Sequence, residues 1–163
     1  MLKNSDFFSS ELHFKGNRVL LNFQKTAFLC SRSISSTAVL KCYDWAIEQR
    51  EKGACVISGF QSQIEKDVLH YLLQGKQPII IALARGLKKR IEPELQDAFS
   101  SGRILMVSIF PETLTRPTSE TAVQRNRMML EMADSVVFGF VSETGNLAKL
   151  KVEYSNKKEI HTL

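Results

Sequence analysis

The sequence predicts an α/β domain with a mainly parallel sheet covered by helices, and two observations indicate it. Residues 55–87 form one complete strand–helix–strand pattern, in which a short apolar run precedes apolar residues at helical spacing and a second apolar run rich in isoleucine. Along the rest of the chain, short apolar runs alternate with helical patterns in the same way. This alternation is typical of βαβ units and therefore of an α/β/α sandwich of three layers.

The individual elements follow from apolar runs, apolar stripes and Gly or Pro boundaries. We expect a lead-in over residues 1–13 and a single domain over residues 14–163. Strands are predicted at 27–30, 55–57, 78–84, 104–110 and 135–141, with edge strands at 14–21 and 159–163. Helices are predicted at 37–51, from 64 until Gly75, at 93–100, at 118–133 and from Gly145 onward.

Right-handed crossovers favour the order 3-2-1-4-5 for the five central strands, with the direction of winding reversing between the first and the fourth. Ligands of such sheets bind at the reversal, where strands end and helix amino ends offer free N–H groups. We expect Ser31, Arg32 and the loop 111–117 to line this crevice. Ser58 and Gly59 would lie beside it.

The charge of the chain is compatible with a polyanionic partner. The net charge is +5, from 22 basic and 17 acidic residues. Residues 85–127 hold eight basic residues against five acidic ones, and Arg85, Lys88 and Lys89 follow the end of a predicted strand. We expect these three to form an electrostatic rim, although a basic run is more often a solvated surface.

Composition excludes several classes of protein. No apolar run approaches the roughly 18 residues of a membrane span, and the first residues lack a secretory pattern, so we expect a cytoplasmic protein without membrane contact. The three cysteines, Cys30, Cys42 and Cys55, form no CxxC pair and lie in apolar runs. They are predicted to be reduced core thiols, and no metal site is predicted.

The helix at 118–133 carries the most informative polar group. Asn126 falls within its apolar stripe, and Arg125 and Arg127 flank that stripe. One interpretation is an anion site in which the amide holds a loop and a guanidinium forks onto phosphate. The other is a structural asparagine between two solvated arginines.

Two strand ends offer further candidate residues. Ser31 and Arg32 would place a hydroxyl and a guanidinium at the crevice, or would form only a polar loop. Ser58 and Gly59 would allow a close backbone approach to a ligand, or only a turn. The phosphate motifs GxxxxGK[ST] and GxGxxG do not occur, and no cofactor is predicted.

Catalytic patterns are weak in this sequence. His13, His70 and His161 are far apart, and no nucleophile motif occurs, so no catalytic residue is predicted. Glu65 and Asp67 lie in the first turns of a helix, where acidic residues usually stabilise the helix dipole.

Four segments share the order of motifs in one known family. They are an aromatic-x-Gly-Asn turn followed by Leu-Leu at 14–21, Cys-Ser-Arg at 30–32, Ile-Ser-Gly-Phe at 57–60 and Arg-Asn-Arg-Met-Met at 125–129. Over residues 14–150 the chain thereby resembles the Rossmann-like core of the DNA-processing protein A family, also called Smf. Where that family has Gly-Ile-Asp, this chain has Gln63-Ile64-Glu65, and Thr144-Gly145-Asn146-Leu147 replaces Ser-Gly-Ser-Leu. The chain resembles a compact, single-domain member.

The resemblance implies that the crevice binds single-stranded DNA through its phosphate backbone, in DNA uptake and recombination. It adds Gly145 and Asn146 to the candidate site and implies a homodimer that passes the strand to a RecA-type recombinase. An alternative is a nucleotide-ligand sensor or a nucleoside-phosphate hydrolase using the same crevice, with Glu143 or Glu112 as the carboxylate. A scaffold for another protein is a third interpretation.

Overall fold

The computed structural model describes residues 11–163, and these build one seven-stranded sheet with helices on both faces. The strands are β1 (His13–Gly16), β2 (Lys25–Leu29), β3 (Cys55–Ser58), β4 (Ile79–Ala82), β5 (Ile104–Ser108), β6 (Ser135–Phe138) and β7 (Glu159–Thr162). The helices are α1 (Ser36–Lys52), α2 (Gln63–Leu73), α3 (Gln96–Ser100), α4 (Ser119–Met132) and α5 (Asn146–Tyr154), with 3-10 helices at Arg18–Asn22 and Pro93–Leu95. The predicted Rossmann-like α/β/α fold is confirmed.

The strand order is β1-β5-β4-β3-β2-β6-β7, and it corrects the predicted order in the place of one strand. The fourth central strand, β5, lies outside β4, and β6 takes the predicted place of β5 beside β2. From β2 to β5, each successive strand is added on the same side of the sheet, and α1, α2 and α3 all pack on one face. A right-handed crossover in the opposite direction must use the other face, so the reversal comes only with α4, which leads back to β6.

The predicted edge strand at 14–21 is wrong beyond Gly16. Gly16 has a φ of 112°, and a Cβ there would overlap the carbonyl of Ile104. The side chain of Asn17 then accepts a hydrogen bond from the amide of Val19 at 3.1 Å. These two residues turn the chain out of the sheet and into the 3-10 helix. Of the predicted lead-in 1–13, residues 1–10 lie outside the described part of the chain.

The core has one cluster on each face of the sheet. Met128, Met129 and Tyr154 from α4 and α5 belong to the first, and Trp45 and Leu69 from α1 and α2 belong to the second. All residues of β3, β4 and β5 are buried, as the apolar runs predicted. The three cysteines are buried free thiols, also as predicted. Across residues 11–163, every helix is too short or too polar to cross a membrane.

Candidate functional site

A polar crevice of about 410 Å³ lies where the carboxyl ends of β2 and β6 meet the amino end of α2. The order of winding reverses between these two strands, which is where parallel α/β sheets generally bind ligands. Most of its lining residues carry hydroxyl, amide or guanidinium groups: Ser31, Arg32, Ser33, Gln61, Ser62, Ser119, Arg125, Asn126, Ser142 and Asn146.

Arg125 is the buried cation of this crevice, with 5% of its surface exposed. Its guanidinium donates to the carbonyl of Ala82 at 3.3 Å, to Oε1 of Gln61 at 3.0 Å and to Oδ1 of Asn126 at 2.8 Å. All three acceptors are neutral, and within residues 11–163 no carboxylate forms an ion pair with Arg125. The crevice therefore presents a buried positive charge whose hydrogen-bond partners, in the described part of the chain, are all neutral.

Burial also affects the protonation equilibrium of this side chain. Desolvation lowers the pKa of Arg125, and the charge of Glu65 acts in the opposite direction. A guanidinium nevertheless stays protonated in proteins, so the positive charge persists at neutral pH. The sequence pattern had placed Asn126 in the apolar stripe, whereas α4 buries Arg125 and leaves Asn126 half-buried at the crevice wall.

Ser58 and Gly59 shape the crevice from beneath instead of lining it. A methyl group added to Gly59 would overlap the guanidinium of Arg125, so only glycine lets that side chain lie across the β3 end. Ser58 is fully buried, and its Oγ accepts a hydrogen bond from the amide of Phe60 at 3.2 Å. The structure thus gives both residues a local role in holding the turn after β3.

Glu65 connects the loops that follow β2 and β3. Its carboxylate is buried and accepts hydrogen bonds from the amides of Cys30 at 3.1 Å, Gln61 at 2.9 Å and Ser62 at 3.3 Å. Ser62 completes a capping box at the start of α2. The Ser-x-x-Glu spacing in the sequence indicates this capping box, but it contains no sign of the bond to Cys30, because that residue is 35 positions away.

The loops after β2 and β6 are also joined directly. The amide of Ser31 donates to the carbonyl of Phe140 at 2.9 Å, and its Oγ accepts from the amide of Ser142 at 3.0 Å. Arg32 is exposed at the crevice mouth. Gly145, with a φ of 114°, precedes α5, and Asn146 lines the crevice as the first residue of that helix. The structure therefore brings Ser31, Arg32, Arg125 and Asn146 together, with Gly145 adjacent to them.

Other predicted site residues lie elsewhere. Arg127 points to α5, where it pairs with Glu153 at 2.9 Å. Arg85 donates to the carbonyl of Gly86 at 3.1 Å, and Lys88 pairs with Glu92. Lys89 is exposed. Arg85, Lys88 and Lys89 follow β4. They lie at the same end of the sheet as the crevice, where the parallel strands have their carboxyl ends, but on the side away from β6.

The predicted contribution of the loop 111–117 to the crevice is wrong. The carbonyl of Leu114 accepts from the amide of Gly86 at 2.8 Å, and the backbone at Pro111 leaves no room for a Cβ at Gly86. The loop therefore packs on the turn after β4. Its position follows from β5, which lies outside β4 and not beside β2.

The carboxylates named for the hydrolase alternative lie outside the crevice. Neither Glu112 nor Glu143 lines it, and the carboxylate that does, Glu65, is engaged with three backbone amides. The thiol of Cys30 also lines the crevice, but its hydrogen bond with Cys42 and its burial raise its pKa well above the ordinary value, so it stays a neutral thiol. In residues 11–163, no three His, Cys, Asp or Glu side chains cluster as a metal site would require.

Comparison with known proteins gives one family. Residues 1–163 match the family model for DNA recombination-mediator protein A. No curated protein sequence matches the chain significantly.

Several solved structures are similar in fold. DNA processing protein A (DprA) from Streptococcus pneumoniae aligns with a TM-score of 0.73 at 20% identity, over 93% of this chain and 54% of that one. DNA processing protein A from Helicobacter pylori, studied for its single-stranded DNA binding mode, aligns with a TM-score of 0.76 at 20% identity, over 99% and 77% of the two chains. The molybdenum cofactor binding protein from Rippkaea orientalis gives a TM-score of 0.59 at 12% identity, over 86% and 76%.

These similarities, at such low identity, concern the fold. This chain spans about half the length of the Streptococcus pneumoniae protein.

Proposed function

Because the chain belongs to the DNA recombination-mediator protein A family, we propose that its crevice binds single-stranded DNA by the phosphate backbone, in DNA uptake and recombination. The observation that carries the proposal is the charge of Arg125, which is buried at the crevice and, among residues 11–163, is bonded only to neutral oxygens. A buried charge without a partner is costly to the fold, and an anion bound there offsets that cost.

The surroundings of Arg125 also fit a phosphate. The amino ends of α2 and α5 both border the crevice, and helix amino ends carry partial positive charge. Hydroxyl and amide donors complete the lining at Ser31, Asn126 and Asn146. None of these groups is placed to read one particular base, so the proposed binding has little sequence preference.

The remaining basic residues have a secondary role in this proposal. Arg32 guides the DNA strand at the crevice mouth. Arg85, Lys88 and Lys89 extend the positive field along the carboxyl ends of the parallel β-strands. Arg127, paired with Glu153, adds to the field only. Ser58 and Gly59 support the site by shaping the turn on which Arg125 lies.

We extend the proposal to the assembly that the family resemblance implies. Residues 14–163 act as one domain in the cytoplasm, and a homodimer passes the bound strand to a RecA-type recombinase. Light scattering of the purified chain would test the dimer, and a single monomeric species at micromolar concentration would contradict it. A pull-down with purified recombinase would test the transfer partner.

Fluorescence anisotropy with a labelled oligothymidylate tests the DNA proposal. Wild-type binding should weaken with salt by about 0.7 log units per log unit of salt for each phosphate neutralised. Arg125→Ala should weaken binding at least tenfold, because it removes a charge-assisted contact worth roughly 1.5–3 kcal/mol. Arg50→Ala is the matched control, because it removes the same charge at the other end of the sheet, where the parallel strands begin. It should leave affinity unchanged.

The outcomes separate the alternatives. Arg32→Ala, an exposed substitution, should also weaken binding and keeps the test decisive if Arg125→Ala unfolds. If no oligonucleotide binds at low salt, the DNA proposal is wrong. A saturable thermal shift with a mononucleotide, without oligonucleotide binding, would identify the crevice as the site of a nucleotide sensor.

A further inference from the structure

Two side-chain amides of the crevice are fixed in orientation by Arg125. Oε1 of Gln61 accepts a hydrogen bond from its guanidinium at 3.0 Å, and Oδ1 of Asn126 accepts one at 2.8 Å. A guanidinium has donors and no acceptor, so the atom of each amide that faces it must be the oxygen. The NH2 group of each amide is therefore turned away from Arg125. Neither NH2 group has an acceptor among residues 11–163, and neither nitrogen is closed off from the crevice, which both side chains line.

Two hydroxyl groups of the crevice are engaged in a similar way. Oγ of Ser31 accepts from the amide of Ser142 at 3.0 Å, and Oγ of Ser62 accepts from the amide of Glu65 at 3.3 Å. In the described part of the chain neither hydroxyl donates a hydrogen bond, so each keeps its proton for a ligand. Four half-buried side chains, which we call the donor wall, thus use their oxygens in the fold and offer their hydrogens to the crevice: Ser31, Gln61, Ser62 and Asn126.

An anion at Arg125 also needs the hydrogens of the donor wall. A guanidinium has five N–H groups, and three of those of Arg125 donate to Gln61, Ala82 and Asn126. Two N–H groups are left, whereas the two free oxygens of a phosphodiester can accept about four hydrogen bonds. An oxyanion taken out of water keeps its affinity only if most of these bonds are replaced. The amide NH2 groups bonded through their oxygens to Arg125 are the nearest donors that can replace them.

Acceptors are scarce beside the donor wall. In residues 11–163, Glu65 is the one carboxylate that lines the crevice, and it is buried and accepts from three backbone amides. A carboxylate has about four acceptor positions, so little of its capacity is left. The other lining side chains with an oxygen are Ser142 and the exposed Ser33, Ser119 and Asn146. A ligand O–H group held at the donor wall therefore meets hydrogens and loses the hydrogen bond that it made to water.

We propose that Gln61 and Asn126 make the crevice selective for a tetrahedral oxyanion that carries no proton. This inference rests on the proposed function and specifies the ionic form of its ligand. A phosphodiester satisfies the donor wall, because it is fully ionised and its free oxygens only accept. A phosphate monoester takes up a proton near a pH of about 6 and then brings an O–H donor to the same wall. Gln61 and Asn126 are specificity-determining residues, and Arg125 has the added role of positioning their amides.

Displacement of labelled oligothymidylate by two small phosphates, at constant ionic strength, tests this selectivity on the wild-type chain. Dimethyl phosphate stands for the diester, and methyl phosphate stands for the monoester. Between about pH 7 and about pH 5 the fully ionised fraction of methyl phosphate falls about tenfold, and its displacing power should fall by the same factor. Dimethyl phosphate keeps one negative charge over this range, so its displacing power corrects for titration of the protein itself.

Two substitutions remove a donor and keep the oxygen that faces Arg125. Gln61→Glu and Asn126→Asp replace the NH2 group by a second oxygen, so a purely structural role in holding the guanidinium is still fulfilled. Each should nevertheless weaken oligothymidylate binding about tenfold or more, because a donor to the anion is lost and a negative charge is added. Gln124→Glu makes the same chemical change at an exposed position of α4 outside the crevice lining. It controls for the added charge and should bind as wild type.

Displacement by methyl phosphate that levels off at the strength of dimethyl phosphate on the acid side would show that the crevice tolerates a protonated oxygen, and it would overturn the inference. Wild-type affinity in folded Gln61→Glu and Asn126→Asp would also overturn it, because the amide hydrogens would then not contact the anion. Both results leave phosphate binding intact. Absence of oligothymidylate binding by wild type would instead contradict the proposed function. The displacement measurement needs no variant, so misfolding of the substituted chains does not remove the test.

Discussion

Arginine side chains lie at both ends of α2, Arg103 beyond its carboxyl end and Arg125 beside its amino end. Arg103 donates to the carbonyls of Leu72 at 3.1 Å, Leu73 at 3.3 Å and Gln77 at 3.1 Å. Arg125 contacts Gln61, just before the first turn of α2, and the ends of β3 and β4. Burial lowers the pKa of both side chains, and no ion pair involves either of them among the described residues.

The two arginines differ in the sign of the partial charge at the helix end beside which each lies. A helix carries partial negative charge at its carboxyl end, so the last carbonyls of α2 compensate Arg103. Arg125 lies at the positive end of the same helix, where a cation is unfavourable. Glu65 offsets part of this charge, but its carboxylate oxygens already accept hydrogen bonds from three backbone amides. Position in the field therefore makes Arg103 a structural residue and leaves Arg125 able to bind an anion.

Of the substitutions that test this comparison, removal of the Glu65 carboxylate should have the largest effect. Glu65→Ala leaves three backbone amides without their acceptor and should lower the free energy of unfolding by about 3 kcal/mol. Urea denaturation measures this change. Glu51→Ala, an exposed glutamate near the other end of the sheet, should stay within about 0.5 kcal/mol of wild type. A loss for Glu65→Ala no greater than that of the control would show that the carboxylate does not hold the crevice loops.

Arg103→Ala should lower stability without affecting DNA binding. Its three charge-assisted bonds, two to carbonyls of α2 and one to the carbonyl of Gln77, are partly buried, so we expect a loss of about 2 kcal/mol in the free energy of unfolding. Thermal denaturation measures the loss, and oligonucleotide anisotropy at a temperature well below the transition should give the wild-type affinity. If Arg103→Ala weakened DNA binding as Arg125→Ala does, the two arginines would not have the separate roles assigned to them.

Gly59→Ala should act on binding more than on folding. The added methyl displaces the guanidinium of Arg125, and we expect about a tenfold loss of affinity, or about 1.4 kcal/mol. Gly75→Ala is the matched control at the carboxyl end of α2, where the methyl meets the side chains of Gln77 and Arg50. It should leave affinity unchanged. Wild-type binding by Gly59→Ala would mean that the position of Arg125 does not control the site.

Lys52→Ala should have the smallest effect, although it removes a full positive charge. Lys52 pairs with Glu48 at 2.6 Å, and both side chains are more than half exposed. Exposed pairs one helical turn apart contribute about 0.3–0.5 kcal/mol, so stability should change by no more than this. Oligonucleotide affinity should not change measurably. A larger effect on affinity would indicate that net charge, and not the placement of Arg125, drives binding.

The sequence indicated the candidate site only in part. Ser31, Arg32 and Asn146 do lie together at the crevice, because each follows the end of a strand or begins a helix. The loop 111–117 was wrongly assigned to the crevice because β5 was predicted to lie beside β2, whereas it lies outside β4. Gln61, Ser119 and Ser142 also line it, and no motif in the sequence distinguishes them from ordinary polar loop residues.

The sequence by itself determined the α/β class, because buried strands and amphipathic helices depend on the spacing of apolar residues along the chain. It also located the starts of α1, α2 and α4 to within one residue, since the capping at Ser35, Ser62 and Thr118 involves only residues three positions apart. Only the tertiary structure decided that α4 buries Arg125 and leaves Asn126 half-buried. The reason is that the contacts of Arg125 with Gln61 and Ala82 join residues 64 and 43 positions apart, and no local pattern records such distances.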